Sequence, residues 1–207
     1  MKSSVLKSLL PAAVLLLASS QSYGQGVVKA TADIFGQGIA GPVVSEGGAT
    51  LLRTPKGLTI SMTMPTPMTG SYAYPPSPSA WQPAPVPGFP EVFTGWAFVF
   101  NSPEECASSP CAGPTLVSAE GRIGVYNFAG HVVGGSTLNL VGHISIGEEV
   151  FSHPNPDANN PLDNPRGAEV HLAIAPHGVL LPDHMPDQIR TPVGNPNYWW
   201  ISLFIPE

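Results

Sequence analysis

The stretch Asn164-Pro-Arg-Gly-Ala-Glu-Val-His-Leu-Ala-Ile-Ala-Pro-His-Gly178 decides the fold. Val170, Leu172 and Ile174 alternate with Glu169, His171 and Ala173, the period-two pattern of a β-strand with one apolar face. The same alternation recurs outward from it. Leu58, Ile60, Met62 and Met64 alternate with Thr59, Ser61 and Thr63. Between Ser136 and Ile146, Leu138, Leu140, Ile144 and Ile146 share one face, with Thr137, Asn139, His143 and Ser145 opposite. Residues 198–205 are apolar on both faces apart from Ser202, as a strand buried on both sides would be. Further strands are read at 27–33, 49–53, 95–100 and 122–133, the last with a break near Gly130. No window sustains apolar residues at i, i+3, i+4 and i+7, so helix is scarce. About eight short strands separated by Gly and Pro turns specify an all-β chain, an antiparallel β-sandwich or barrel.

The N-terminus has the three-part plan of a secretory signal peptide: Lys2 and Lys7, an apolar run from Leu9 to Ala18, then small residues up to Gly24. Ser22 and Gly24 fit the peptidase pocket, with Ala18 and Ser20 as an earlier site. The apolar run is shorter than the roughly 20 residues that span a bilayer. Residues 1–24 are therefore expected to be removed, leaving 25–207 as a single exported β domain, periplasmic or extracellular, with no membrane span. Removing that leader takes away two lysines and no acid, so the formal charge moves from −6 to −8. A chain this acidic, with scattered cations, is a poor partner for nucleic acid or an anionic membrane surface.

Cys106 and Cys111 are the only cysteines. In an exported chain they read as a local disulfide, and half of a metal site is the alternative. Residues 65–90 hold nine prolines together with Tyr72, Tyr74, Trp81 and Phe89, which makes a central strand impossible there and a long loop expected. That loop is either a solvated excursion on the sheet edge or an aromatic lip over a binding surface, and Tyr72, Tyr74 and Trp81 are the candidate ligand contacts. Residues 151–167 form a second loop, rich in Asn and Pro. Its Arg166 either anchors a carboxylate ligand or pairs with Asp163 or Glu169. Trp199 and Trp200 point to opposite faces of their strand and are read as core, with a stacking platform as the alternative.

Several segments together resemble an uncharacterised family of secreted bacterial β-rich proteins. They are Gly48-Ala-Thr-Leu-Leu-Arg-Thr-Pro-Lys-Gly57, Asn101-Ser-Pro-Glu-Glu-Cys106, Gly130-His-Val-Val-Gly-Gly135 and Asn164-Pro-Arg-Gly-Ala-Glu-Val-His-Leu172, with Met185-Pro-Asp-Gln-Ile-Arg-Thr191 following. The resemblance implies export and a β-rich fold, and it brings no activity. The family pattern also includes a cysteine pair near the C-terminus. Here Asn195-Pro-Asn-Tyr-Trp-Trp200 stands in that place, so a second disulfide does not carry over. A looser, fold-level likeness is to chordin-type extracellular domains, through His171 and Pro176-His177-Gly178.

The histidines are His131, His143, His153, His171, His177 and His184. On a strand, positions i and i+2 face the same way, so Glu169 and His171 can share a ligand or bond to each other. Convergence of His131, His143, His171 and Glu169, with His177 beside them, would suit Zn or Cu. Equally, these are ordinary polar residues of a sheet, and no cofactor is the simpler expectation. Nucleophilic catalysis lacks a Gly-x-Ser-x-Gly elbow, and Glu104-Glu105 and Glu148-Glu149, adjacent in sequence, diverge on a strand. An outer-membrane barrel is disfavoured by the proline load. The expectation is a non-enzymatic binding or structural module for a protein or glycan ligand, with a small His/Glu metalloprotein as the alternative.

Overall fold

The computed structural model of the chain describes residues 26–38, 40–74, 80–111, 121–152, 156–191 and 198–206. Eight antiparallel strands form one sheet: β1 (Val28–Phe35), β2 (Val43–Thr54), β3 (Gly57–Pro65), β4 (Glu91–Phe100), β5 (Ile123–Val133), β6 (Thr137–Ser145), β7 (Glu169–Val179) and β8 (Trp200–Phe204). Their order is β5-β4-β7-β8-β1-β2-β3-β6. The sheet curls until its two edge strands, β5 and β6, pack together, giving a nearly closed barrel. A short helix, α1 (Met185–Arg190), lies against β4 and β5. The all-β antiparallel fold of eight strands expected above is what the chain adopts, and each expected strand is present.

The two halves of the sheet are buried differently. In β3 and β6 exposed and buried residues alternate, with Leu58, Ile60, Met62, Leu138, Leu140 and Ile144 inside. Every residue of β4 is buried, as is β7 as far as Gly178. There the inner face supplies Phe93, Val99, Val170 and Leu172 to the barrel core. The outer face carries Trp96, Phe98, Phe100 and Ala173 under a second core, which Cys111, Phe151, Ala158 and Trp199 help to cover. Each buried ring removes about 150–250 Å² from water, so loops 101–111 and 151–160 are held down by substantial apolar burial.

β2 runs from Val43 to Thr54, well beyond the 49–53 read from the sequence, and the differences in β4, β5 and β7 each have a packing reason. β4 starts at Glu91 instead of residue 95, because Gly95 is a contact point and no turn: a Cβ there would lie 2.5 Å from the Phe128 ring. The irregularity in β5 falls at Phe128, which is skipped between the pairs Gly95–Ala129 and Trp96–Asn127, two residues before Gly130. β7 continues through Pro176 to Val179, and a register shift opposite Val92 and Phe93 accommodates the missing donor. Gly178 follows at φ +72°, where a Cβ would stand 1.7 Å from the Pro83 carbonyl oxygen, so the proline-rich segment packs directly on the strand. The described parts of that segment after Pro65 hold no strand or helix, as expected of a loop. The expected leader, residues 1–24, lies outside the described residues, as does His153.

Candidate functional site

Glu169 and His171 do meet, on the outer face of β7 and out of reach of solvent. His171 Nε2 lies 2.5 Å from Glu169 Oε1, the residues are 2% and 1% exposed, and the His171 ring packs 4.8 Å from that of Phe100. The same Glu169 oxygen accepts the Cys111 backbone N–H at 2.7 Å. Cys106 and Cys111 are joined as a disulfide with their Cα atoms 5.2 Å apart. The carboxylate therefore anchors the disulfide loop over the outer core.

The other candidate ligands lie elsewhere. His131 is exposed on β5, opposite Phe93, and His143 is exposed on β6 with Nδ1 3.0 Å from Thr59 Oγ1. His177 is fully buried on β7, with Nε2 2.9 Å from Thr94 Oγ1, which also accepts the Trp96 indole N–H. Burial pushes the His177 pKa down to about 4, against hydrogen bonds with the Gln188 and Trp81 backbone that favour the charged form. It is neutral at physiological pH. Among the described residues no group of three or more His, Cys, Asp or Glu side chains is placed to hold one ion. Arg166 pairs with neither expected acid: it donates to the Gly26 carbonyl, while Asp163 binds Arg122 at 2.5 Å. Glu148 and Glu149 are exposed beside Arg190, and Glu148 accepts the Ser145 N–H at 2.7 Å.

Two open cavities of similar size lie on the described residues, one beside Tyr126, Phe151 and Arg190 and the other at one end of the barrel, where β3 ends and β2 and β8 begin. Gln37, Val44, Pro65, Met68, Tyr72 and Trp200 wall the latter, an open cavity of about 520 Å³. Its outer wall is the strap 66–72, which leaves β3 as the first part of the proline-rich loop. Thr69 Oγ1 and the Tyr72 hydroxyl both donate to Glu91, one to each carboxylate oxygen, and so fasten the strap to the first residue of β4. Gln37 closes the side by a paired amide contact with Ala73, donating to its carbonyl at 2.8 Å and accepting its N–H at 3.1 Å. Tyr72 stands edge-on to Trp200 with ring centroids 5.2 Å apart. Burial and then the hydrogen bond to Glu91 hold the Tyr72 hydroxyl far above its ordinary pKa, so its proton stays on the bond to the carboxylate. Thr66 also belongs to the lining, but its Oγ1 is turned out of reach of the cavity and has no hydrogen-bond partner among the described residues.

Of the ligand contacts expected from the sequence, Tyr72 is in this cavity. Tyr74 instead donates to the Pro83 carbonyl at 3.0 Å, and the Trp81 ring packs 5.1 Å from His184. Trp199 and Trp200 are both buried, as expected, in the outer and inner cores respectively, and Trp200 also forms a cavity wall. Glu91 and Thr66 went unrecognised in the sequence. The available signal was Glu91 two residues before Phe93, an acid in register with the core-facing side of a strand.

Compared with known proteins, the chain matches no family model, no curated sequence and no solved structure. Among the described residues no helix is long and apolar enough to cross a membrane. What the structure defines is an all-β domain with a local disulfide and, at one end, an open cavity walled by aromatic, proline and methionine side chains.

Proposed function

We propose that this protein is an exported, non-enzymatic binding module whose ligand enters the cavity at the open end of the barrel. One observation carries the reading: a cavity of about 520 Å³ walled by Tyr72, Trp200 and Met68, with Met68 75% exposed at its rim. Small-ligand sites typically enclose roughly 300–1,000 Å³ with mostly apolar walls and a few fixed polar groups. Export is supported by the signal-like leader, by the disulfide, which persists in oxidising compartments, and by the resemblance to secreted bacterial proteins. The ligand is a glycan or a side chain of a partner protein.

Residues 25–207 should be screened on a glycan array and by pull-down, beside Met68→Lys, which places a positive charge at the exposed rim without entering the core. A ligand retained by the parent and lost by the variant is the expected result. Clean negatives in both screens would overturn the reading.

A further inference from the structure

We propose that the cavity at the open end selects an organic cation, an ammonium group carrying methyl or methylene substituents, by combining the Tyr72 and Trp200 rings with the buried charge of Glu91. This rests on the cavity being the binding site. Three observations lead to it.

First, Glu91 is 4% exposed, and among the described residues no Lys, Arg or His nitrogen forms an ion pair with it. Its hydrogen-bonding partners, Thr69 and Tyr72, are neutral donors, so they solvate the carboxylate and leave its charge uncompensated. Glu91 is not itself in the lining and stands behind the Tyr72 hydroxyl; in a protein interior a charge so placed acts over several ångströms more strongly than it would in water. Among the described residues no Lys, Arg or His lines that cavity to offset it.

Second, the Tyr72 hydroxyl has one proton and gives it to Glu91. What the hydroxyl still offers is oxygen lone pairs, so it accepts from a ligand and cannot donate. A ligand carboxylate, phosphate or sulfate would meet an acceptor and a negative charge together. A donor or a cation would meet complementary chemistry.

Third, the walls suit a soft cation. The rings of Tyr72 and Trp200 lie edge to face, the Met68 thioether is polarizable, and Pro65 and Val44 supply apolar contact for substituents. Aromatic walls attract cations through the ring quadrupole, and alkylated ammonium groups lose less hydration on entry than a bare ammonium does.

The test compares choline with 3,3-dimethylbutan-1-ol, which has the same shape and hydroxyl but no charge. Binding of each to the purified chain 25–207 would be measured by titration calorimetry at low and high salt. Choline should bind roughly ten-fold more tightly than the alcohol at low salt. Glu91→Gln should abolish the preference while the alcohol still binds. Should that variant fail to fold, Tyr72→Phe serves in its place: it keeps the ring but uncouples it from Glu91, and should reduce the preference several-fold. Equal or tighter binding of the alcohol would overturn the cation selection and leave the cavity as a binding site. Binding of neither probe would overturn the cation proposal, and the array and pull-down screens decide the binding-module reading independently.

Discussion

The two ends of the barrel each bury a charge that has no opposite charge beside it among the described residues, and they handle it differently. At the end where β2 stops and β7 begins, Arg53 is 5% exposed and donates to the carbonyls of Pro165 at 2.9 Å, Ala168 at 2.7 Å and Phe204 at 3.4 Å. At the other end Glu91 is held by hydroxyls of Thr69 and Tyr72. Backbone carbonyls are fixed once their strands and turns are, so Arg53 acts as a plug that also pins the turn 165–168. Side-chain hydroxyls on a strap are a looser arrangement, and an open cavity lies beside them. On the function proposed above, stability is concentrated at the first end and binding at the second.

The sharpest way to break that contrast is Arg53→Met. Removing the guanidinium leaves two close carbonyls unpaired in a buried setting, and we expect a loss of roughly 4 kcal/mol in urea unfolding. Probe binding by the still-folded fraction should not change. A loss under about 1 kcal/mol would show that the plug is dispensable.

Acid should act on the other end, because His177 lies near the end of β7, beneath the proline-rich segment. Its folded-state pKa of about 4 is below the ordinary 6.5, so the fold favours the neutral ring. The contribution is complete above pH 6.5 and is lost as pH falls toward 4, by about 3 kcal/mol in the limit. His177→Gln should flatten that part of the pH–stability curve. An unchanged slope between pH 6.5 and 4 would rule His177 out as its source.

Smaller again is the disulfide. Cys106→Ser with Cys111→Ser should cost about 2 kcal/mol for so short a loop, and should leave the cavity end untouched. The smallest expected effect is also the most diagnostic. Thr66→Val removes a buried hydroxyl that has no partner among the described residues, and should be neutral or stabilising by about 0.5 kcal/mol. A clear destabilisation would mean that the hydroxyl has a structural partner in solution.

Much of this architecture was legible in the chain. The alternation in β3 and β6 reports a strand with one wet face, and those strands were read nearly to their ends. β4 is harder, because burial on both faces removes the alternation, and Gly95 imitates a turn while serving as a seat for Phe128. The Glu169–His171 pair was legible as a contact because strand periodicity alone brings i and i+2 together. Its environment was not, since the Cys111 N–H that shares the carboxylate is 58 residues away in the chain. Arg53 and Glu91 show the same limit. Each stands in register with an apolar face, Arg53 with Leu51 and Glu91 with Phe93, which marks it as inward. What encloses it is decided by residues such as Pro165, 112 positions from Arg53.

The seam between β5 and β6 has a consequence for motion. These strands are the two edges of the sheet, and they meet by packing, with Gly142 so close to Phe128 that a Cβ there would lie 2.3 Å from the Phe128 carbonyl oxygen. No strand ladder among the described residues crosses that line, so parting it breaks contacts between side chains and spares the backbone ladders. The barrel is a rolled strip and not a ring. Amide exchange should register this as a gradient, fastest along β6 and the Gly130–Val133 end of β5 and slowest in β4 and β7, which are laddered on both sides and covered on both faces.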